Sequence, residues 1–338
     1  MRSIIVAAYV RWTVSIAGML IFLLTFCVVA APAEAQPSAY PSRQLQIIVP
    51  FPAGGSADFF ARTVFNKLPP LIGYPIVIEN KAGASGIVGA KAVINASPDG
   101  YTLLVSSVAS VIIPPSLTDP PAFDPLRDLT PITGIGTVPV VLVVRPSLGI
   151  RTFPELLAYA KANPGKLNLA SSGTGTISHL TAELLTRETG IKIQHVPYRG
   201  APPAVTDLLG GHADIMFSDA PFFLEHIHGG KLIPLAVGTA HRAPSLANVP
   251  TTAELGYPAI VASNTYSLFA PPKTPPDIVD KLDQLVLTVL RDAEVRESFA
   301  KQEASPAGDT PERFKSLLQS ESDRWIPIIK AAGVRTAP

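Results

Sequence analysis

Leu45-Gln46-Ile47-Ile48-Val49-Pro50-Phe51-Pro52-Ala53-Gly54-Gly55-Ser56-Ala57-Asp58 runs from an apolar, strand-like stretch through a glycine pair toward a helical pattern, Phe59 to Leu68. Paired glycines at a strand-to-helix turn let backbone approach a ligand closely. The first N–H groups of the helix have no partner inside it, and the positive end of the helix dipole lies behind them. Such a turn suits an anion without any Lys or Arg. The plainer alternative is a glycine-rich turn with Ser56 as an ordinary N-cap.

A second unit of the same kind follows more than a hundred residues later. Leu167 to Ala170 reads as a strand, Ser171-Ser172-Gly173-Thr174-Gly175-Thr176 as a turn rich in hydroxyls, and Ile177, Leu180 and Leu184 recur at helical spacing. Two helix N-termini facing one cleft would hold the two ends of a small polyanion. Neither turn carries Lys or Arg, which favours reversible capture over chemistry.

The first 35 residues read as an export leader. Arg2 and Arg11 form a positive start, Trp12 to Ala33 carries no charge, and Ala33-Glu34-Ala35 is an A-x-A cleavage site, so the exported, mature chain is expected to begin at Gln36. The rival is an uncleaved anchor, since about 20 apolar residues can span a bilayer. The only cysteine, Cys27, lies inside this segment, and the residues before it do not form a lipobox. A cleaved chain has no disulfide framework, thiol nucleophile or cysteine metal site. Of 27 Lys and Arg and 26 Asp and Glu, cleavage removes Arg2, Arg11 and Glu34, leaving 25 of each and a net charge of zero. That balance gives no electrostatic footprint for nucleic acid.

Beyond the leader, short apolar runs alternate with helical patterns. Strands are expected at 46–49, 76–79, 102–105, 140–144, 166–170, 193–196, 214–217, 233–237 and 266–269. Helices are expected at 59–68, 86–95, 154–162, 177–188, 202–209, 276–290 and 311–331. This alternation implies an α/β fold with mostly parallel sheets covered on both faces. The last strand and two long helices follow the alternating region, as in a chain that starts one domain, builds another and returns. Crossings near Pro139 and Asn264 place one lobe at 40–139 plus 264–338 and the other at 140–263, with a hinge between them.

Several further stretches carry a family resemblance over nearly the whole chain. They are Val49 to Arg62; Val77-Ile78-Glu79-Asn80-Lys81-Ala82-Gly83-Ala84-Ser85-Gly86; Ser97-Pro98-Asp99-Gly100-Tyr101-Thr102-Leu103-Leu104; Leu167 to Leu180; His195-Val196-Pro197-Tyr198-Arg199-Gly200; Leu268-Phe269-Ala270-Pro271; and Thr274-Pro275. In this order, behind a leader, they resemble the Bug/TctC family, the periplasmic solute-binding receptors of tripartite tricarboxylate transporters. The resemblance implies a two-lobed periplasmic-binding-protein fold (type II-like), with two mostly parallel sheets flanked by helices, that closes on its ligand. It implies that a small organic carboxylate is held by the two turns through backbone amides and ordered water, and passed to the transporter's membrane components. Family ligands include citrate, other di- and tricarboxylates, acidic amino acids and aromatic carboxylates. Carried onto this chain, the ligand-binding set is Phe51, Ala53, Gly55, Ser56, Ala57 and Asp58 in the first turn, and Ser171, Gly173, Thr174, Gly175, Thr176 and His179 in the second. Ser107, Tyr198 and Asp219 complete it. Departures from the family pattern fall at Ala57, often Thr; at Ser106 to Ser110, elsewhere richer in Gly and Thr; and at Thr265 and Ser267, where Trp and Gly are common.

Several of these residues have two readings. Asp58 either touches ligand or organises its loop, where a carboxylate in the first helical turn suits the dipole. His179 either donates to a carboxylate or packs the loop. Asp219, in Ser218-Asp219-Ala220-Pro221, either binds an amine or hydroxyl or shapes a turn. Arg199 either reaches the cleft or pairs on the surface. The histidines, including His226 and His228, lack paired metal-ligand spacing. There is no G-x-S-x-G, no complete dinucleotide fingerprint and no phosphate-loop Lys, so no enzyme activity and no cofactor are expected. An exported carboxylate-processing enzyme and a receptor that docks a membrane sensor are the alternatives.

Overall fold

Residues 40–332 are described by a computed structural model; the leader and its cleavage site lie outside them. In chain order the elements are β1 (Leu45–Val49), α1 (Ser56–Phe65), β2 (Ile76–Asn80), α2 (Ile87–Ile94), β3 (Thr102–Ser107), α3 (Val108–Ser116), β4 (Thr130–Val144), α4 (Phe153–Ala162), β5 (Asn168–Ser171), α5 (Ile177–Thr189), β6 (Gln194–Pro197), α6 (Ala201–Gly210), β7 (Ile215–Asp219), β8 (Ile233–Val237), β9 (Ser263–Ala270), α7 (Pro276–Leu290), α8 (Ala293–Lys301), β10 (Ser305–Pro306) and α9 (Pro311–Ala332). Shorter helical turns join several of them.

Local chemistry explains most boundaries. Thr152 caps α4 by accepting from the Glu155 N–H, and Phe153, Leu156, Leu157 and Ala160 give it one buried stripe. In α7, Val279, Leu282, Val286, Val289 and Leu290 recur at helical spacing and are buried. Along the second half of β4, Val140, Val141, Leu142, Val143 and Val144 are all fully buried. Val140, Leu142 and Val144 join one core, while Val141 and Val143 join another. A strand covered on both faces reads as a continuous apolar run.

The strands form one path, β2-β1-β3-β9-β4-β7-β5-β6, with β8 and β10 also paired to β4. Each end of the path is parallel as expected: β2-β1-β3 at one end and β7-β5-β6 at the other. The middle differs, because every ladder made by β4 or β9 is antiparallel. Thr130 to Pro139 of β4 pair with β9, whereas Val140 to Val144 pair with β7 and β8. One 15-residue strand therefore runs through both halves of the sheet.

Three features escaped the sequence reading. The first half of β4 holds Pro131, Gly134, Gly136 and Pro139, which read as strand breakers; here they accompany register shifts in the β4–β9 ladder. Gly136 also makes room for an aromatic cluster, since a Cβ there would lie 2.3 Å from Phe60. Helix α3 is buried from Val108 to Pro115, so it has no polar face and no amphipathic period to betray it. Helix α8 buries only Val295 and Phe299, and Asp292 starts it by accepting from the Glu294 and Val295 N–H groups.

Candidate functional site

In the first turn, Gly54 takes the left-handed conformation (φ +80°) and Gly55 is the extended N-cap of α1. Ser56 is thus the first helical residue and not the cap. The first intrahelical bond runs from Phe59 N–H to Gly55 O, so the N–H groups of Ser56, Ala57 and Asp58 precede the helical ladder. Asp58 fixes this geometry from behind. Its carboxylate accepts from the Gly54 N–H at 3.0 Å, from Arg62 Nε at 3.0 Å and from Asn80 Nδ2 at 3.0 Å. Asn80 Nδ2 also donates to Phe51 O at 3.0 Å, tying the turn to the end of β2. Burial works against the Asp58 charge, yet Arg62, the Gly54 amide and Asn80 together hold its carboxyl below the ordinary value.

In the second turn, Gly173 (φ +130°) and Gly175 (φ +80°) carry the left-handed backbone. Ser171 Oγ accepts from the Gly173 N–H at 3.2 Å and shares a 2.6 Å hydrogen bond with His195 Nε2. Thr176 Oγ1 donates to Gly173 O at 2.7 Å. His179 Nδ1 accepts from the Gly175 N–H at 3.1 Å, its Nε2 lies 3.3 Å from Glu183, and its ring stacks on His195 at 3.8 Å. Burial first, and the electrostatic influence of the neighbouring His179 second, push the His195 imidazole down to about 4.

Both turns open on one inner cavity of about 50 Å³, room for a few water molecules. Four helices begin at its wall. Ser56 and Ala57 come from α1, Ser110 from α3 together with its cap Ser107, Ile177 and Ser178 from α5 with Thr176 before them, and Ala201 and Pro202 from α6. Ser218 and Asp219 at the end of β7, and Asn264 and Tyr266 on β9, complete the lining together with Phe51, Pro52, Gly55, Ser172, Gly200 and Phe222. The lining contains no Lys, Arg or His. A wider outer cavity of about 560 Å³ shares Phe51, Pro52 and Ser172 with it, and is further lined by Gly173, Thr174, Tyr198 and Arg199. The walls press closely where they meet: a Cβ on Gly173 would lie 2.9 Å from Ser85 Oγ, and one on Gly200 would lie 3.1 Å from Pro52.

Of the residues singled out from sequence, Phe51, Gly55, Ser56, Ala57, Ser107, Thr176 and Asp219 line the inner cavity. Gly173, Thr174 and Tyr198 line the outer one. Ala53 is exposed. Asp58, Ser171, Gly175 and His179 line neither cavity and instead fix the turns through the bonds given above. The Tyr198 hydroxyl donates to Asp207 at 2.7 Å; burial first, then this carboxylate, push its phenol up to about 12. Ser172 and Ser178, inside the second turn, line the inner cavity as well, while sequence reasoning did not single out Ser110, Phe222, Asn264 and Tyr266 as site residues. Asn264 and Tyr266 were legible only as part of a crossing strand, since the period of a strand says nothing about what its polar residues face.

Asp219 is 2% exposed. Tyr266 donates to it at 2.6 Å and Asn264 Nδ2 at 3.1 Å. Burial raises its carboxyl above the ordinary value despite these donors and the neighbouring Ser56. Tyr266 in turn stacks on Phe60 at 4.9 Å. Among the described residues no group of three His, Cys, Asp or Glu is arranged to hold a metal, and no helix is long and apolar enough to cross a membrane.

A sequence profile of the tripartite tricarboxylate transporter family receptors (TctC) matches residues 60–334. Protein BugT of Bordetella pertussis (strain Tohama I) is 39% identical over 308 residues, covering 91% of this chain and 94% of BugT. Among solved structures, periplasmic binding protein BugD superposes with a TM-score of 0.82 at 32% identity, over 88% of this chain and 100% of that one. MatC from Rhodopseudomonas palustris, with bound malate, gives a TM-score of 0.81 at 30% identity, over 86% of this chain and 100% of MatC.

Proposed function

Because this chain belongs to the TctC family of tripartite tricarboxylate transporter receptors, we propose that it captures a small organic carboxylate and delivers it to the membrane components of such a transporter. It acts in the periplasm after cleavage of its leader behind Ala35. The observation that carries this reading is the convergence of four helix N-termini on a cavity with no cationic side chain in its lining. Amides and hydroxyls there are donors that an ionised carboxylate accepts from, each worth about 1.5–3 kcal/mol net. The relative with bound malate supports the same class of ligand.

Capture proceeds by closure of two lobes, 40–139 with 264–338 and 140–263. The chain crosses between them at the β4 and β9 segments that pair Pro139 with Ser263. An inner cavity with room for a few waters is the closed arrangement, and parting the walls at Gly173–Ser85 and Gly200–Pro52 admits the solute. Bound solute is returned chemically unchanged.

A thermal-shift screen against a broad carboxylate panel tests the reading. A ligand at 100 times its Kd stabilises the fold by about 2.7 kcal/mol. Absence of any shift across mono-, di- and tricarboxylates sinks it, and conversion of a bound carboxylate to product replaces it with an enzyme.

A further inference from the structure

We infer that Asp219 and Asn264 form an ammonium-binding subsite, so that the captured solute is a carboxylate that also bears an amino group; the carboxylate half rests on the function proposed above. Asp219 stands at the cavity wall with its side chain withdrawn from water, yet its protein partners are neutral. They are the Tyr266 hydroxyl and the Asn264 amide, and among the described residues no salt bridge involves it. A buried carboxylate without a counter-charge is costly, and the cost falls when a cation arrives.

The hydrogen-bond pattern specifies what kind of cation. The Tyr266 O–H is spent on Asp219, and the Tyr266 oxygen accepts from Asn264 Nδ2 at 2.8 Å. Asn264 Nδ2 therefore faces two acceptors, and Asn264 Oδ1 is left buried with no hydrogen-bond partner in the protein. Ser56 Oγ, which neighbours Asp219 at the cavity wall, is likewise buried without one among the described residues. Apart from the Ser56 hydroxyl, which can donate as well as accept, the donors of this cluster are consumed internally, and the capacity left on Asn264 is accepting. An ammonium has three donors and no acceptor, which matches a carboxylate, an amide oxygen and a hydroxyl oxygen. A solute hydroxyl would offer Asp219 one hydrogen bond but would leave its charge uncompensated. A second solute carboxylate would be repelled. The heads of α3, α5 and α6, which line the same cavity, remain for the solute's own carboxylate, so the cavity orients a zwitterion along one direction.

Calorimetric titration at pH 7.5 with matched pairs tests this: aspartate against succinate, glutamate against glutarate, and 4-aminobutyrate against butyrate, with cadaverine as an amine lacking a carboxylate. The amino member of the preferred pair should bind at least tenfold tighter than its deaminated partner. Asp219→Asn, shown to be folded by its Tm, should erase that preference by weakening the amino member and sparing the other. The comparison within wild-type protein decides the matter even if the variant does not fold. Equal or tighter binding of the deaminated members overturns the subsite and leaves the carboxylate function standing. Failure of every carboxylate, with or without an amino group, overturns both. Cadaverine binding that depends on Asp219, with no carboxylate bound, upholds the ammonium site and removes the carboxylate function.

Discussion

The first turn is held in place by a carboxylate and the second by hydroxyls and imidazoles, although both aim a helix N-terminus at the same cavity. Behind Phe51–Asp58, a buried carboxylate gathers a backbone amide, a guanidinium and an asparagine. Behind Ser171–His179, hydroxyls and two stacked imidazoles do the equivalent work. Except for Thr176, which also lines the inner cavity, the fixing groups lie outside it. The difference teaches that a helix end can be positioned by unrelated chemistry, so long as that chemistry spends the loop's own amides and leaves the helical ones unspent. Asp58 and His179, the residues of each turn with the most evident binding chemistry, are the ones so employed.

The contrast is broken most severely at the glycines. Gly54 and Gly175 share φ +80°, but a Cβ on Gly54 meets nothing within 4 Å, while one on Gly175 lies 2.8 Å from Leu117 and 3.2 Å from Ile113. Gly54→Ala should therefore cost only the left-handed strain, about 1–2 kcal/mol. Gly175→Ala adds overpacking, for a total of about 2–5 kcal/mol. Denaturant unfolding of the two variants measures the difference, and equal costs would show that the second turn is no more tightly packed than the first.

Acid should loosen the second turn before the first. The His195 imidazole sits at about 4 in the fold, below its unfolded value of about 6.5. Its contribution to stability is whole above the unfolded value and is lost as pH falls toward 4. The Asp58 carboxyl is lowered, so its contribution persists through that window and is lost only below the ordinary carboxylate range. Asp219, whose carboxyl is raised, works the other way and gains stability as pH falls. Comparing wild type with His195→Gln cancels both carboxylates. Between pH 7 and 4 the wild-type Tm should drop further than that of the variant; parallel curves would remove His195 from the account.

The smallest effect on the fold is expected at Ser56. Its hydroxyl has no hydrogen-bond partner in the protein, so Ser56→Ala should change stability by less than about 0.5 kcal/mol. Ligand affinity should nevertheless fall about tenfold, the worth of one hydrogen bond. Unchanged affinity by calorimetry would place the solute away from the head of α1.

The sequence made the two turns legible because their signal is local: an apolar run, glycines with hydroxyls, then helical spacing. The same locality explains what it hid. The head of α6 was recognised as a helix start through Pro202, but nothing near it says that it shares a wall with Ser56. Asn264 marks a crossing point in the sequence, and its hydrogen bond to Tyr266 is local to β9, but the meeting of both with Asp219 is brought about only by the folded sheet. The β4 segment from Thr130 to Pro139 was hidden for the opposite reason. Its prolines and glycines contradict local strand preference, and the fold overrides that preference because Phe60 and Ala307 occupy the space that side chains on Gly136 and Gly134 would need.

A cavity whose positive character resides in peptide groups differs from one lined by lysines in how a solute first meets it. Backbone dipoles act over about one helical turn, whereas a cluster of like charges reaches outward for roughly a Debye length of 8–10 Å. Apart from Arg199 on the outer wall and the buried Asp219 on the inner one, neither lining carries a charged side chain, and the chain as a whole carries a formal charge of only +1. Encounter is therefore unsteered. The association rate should sit near the neutral diffusive regime and respond little to ionic strength, and discrimination among solutes should be expressed in how long each one stays.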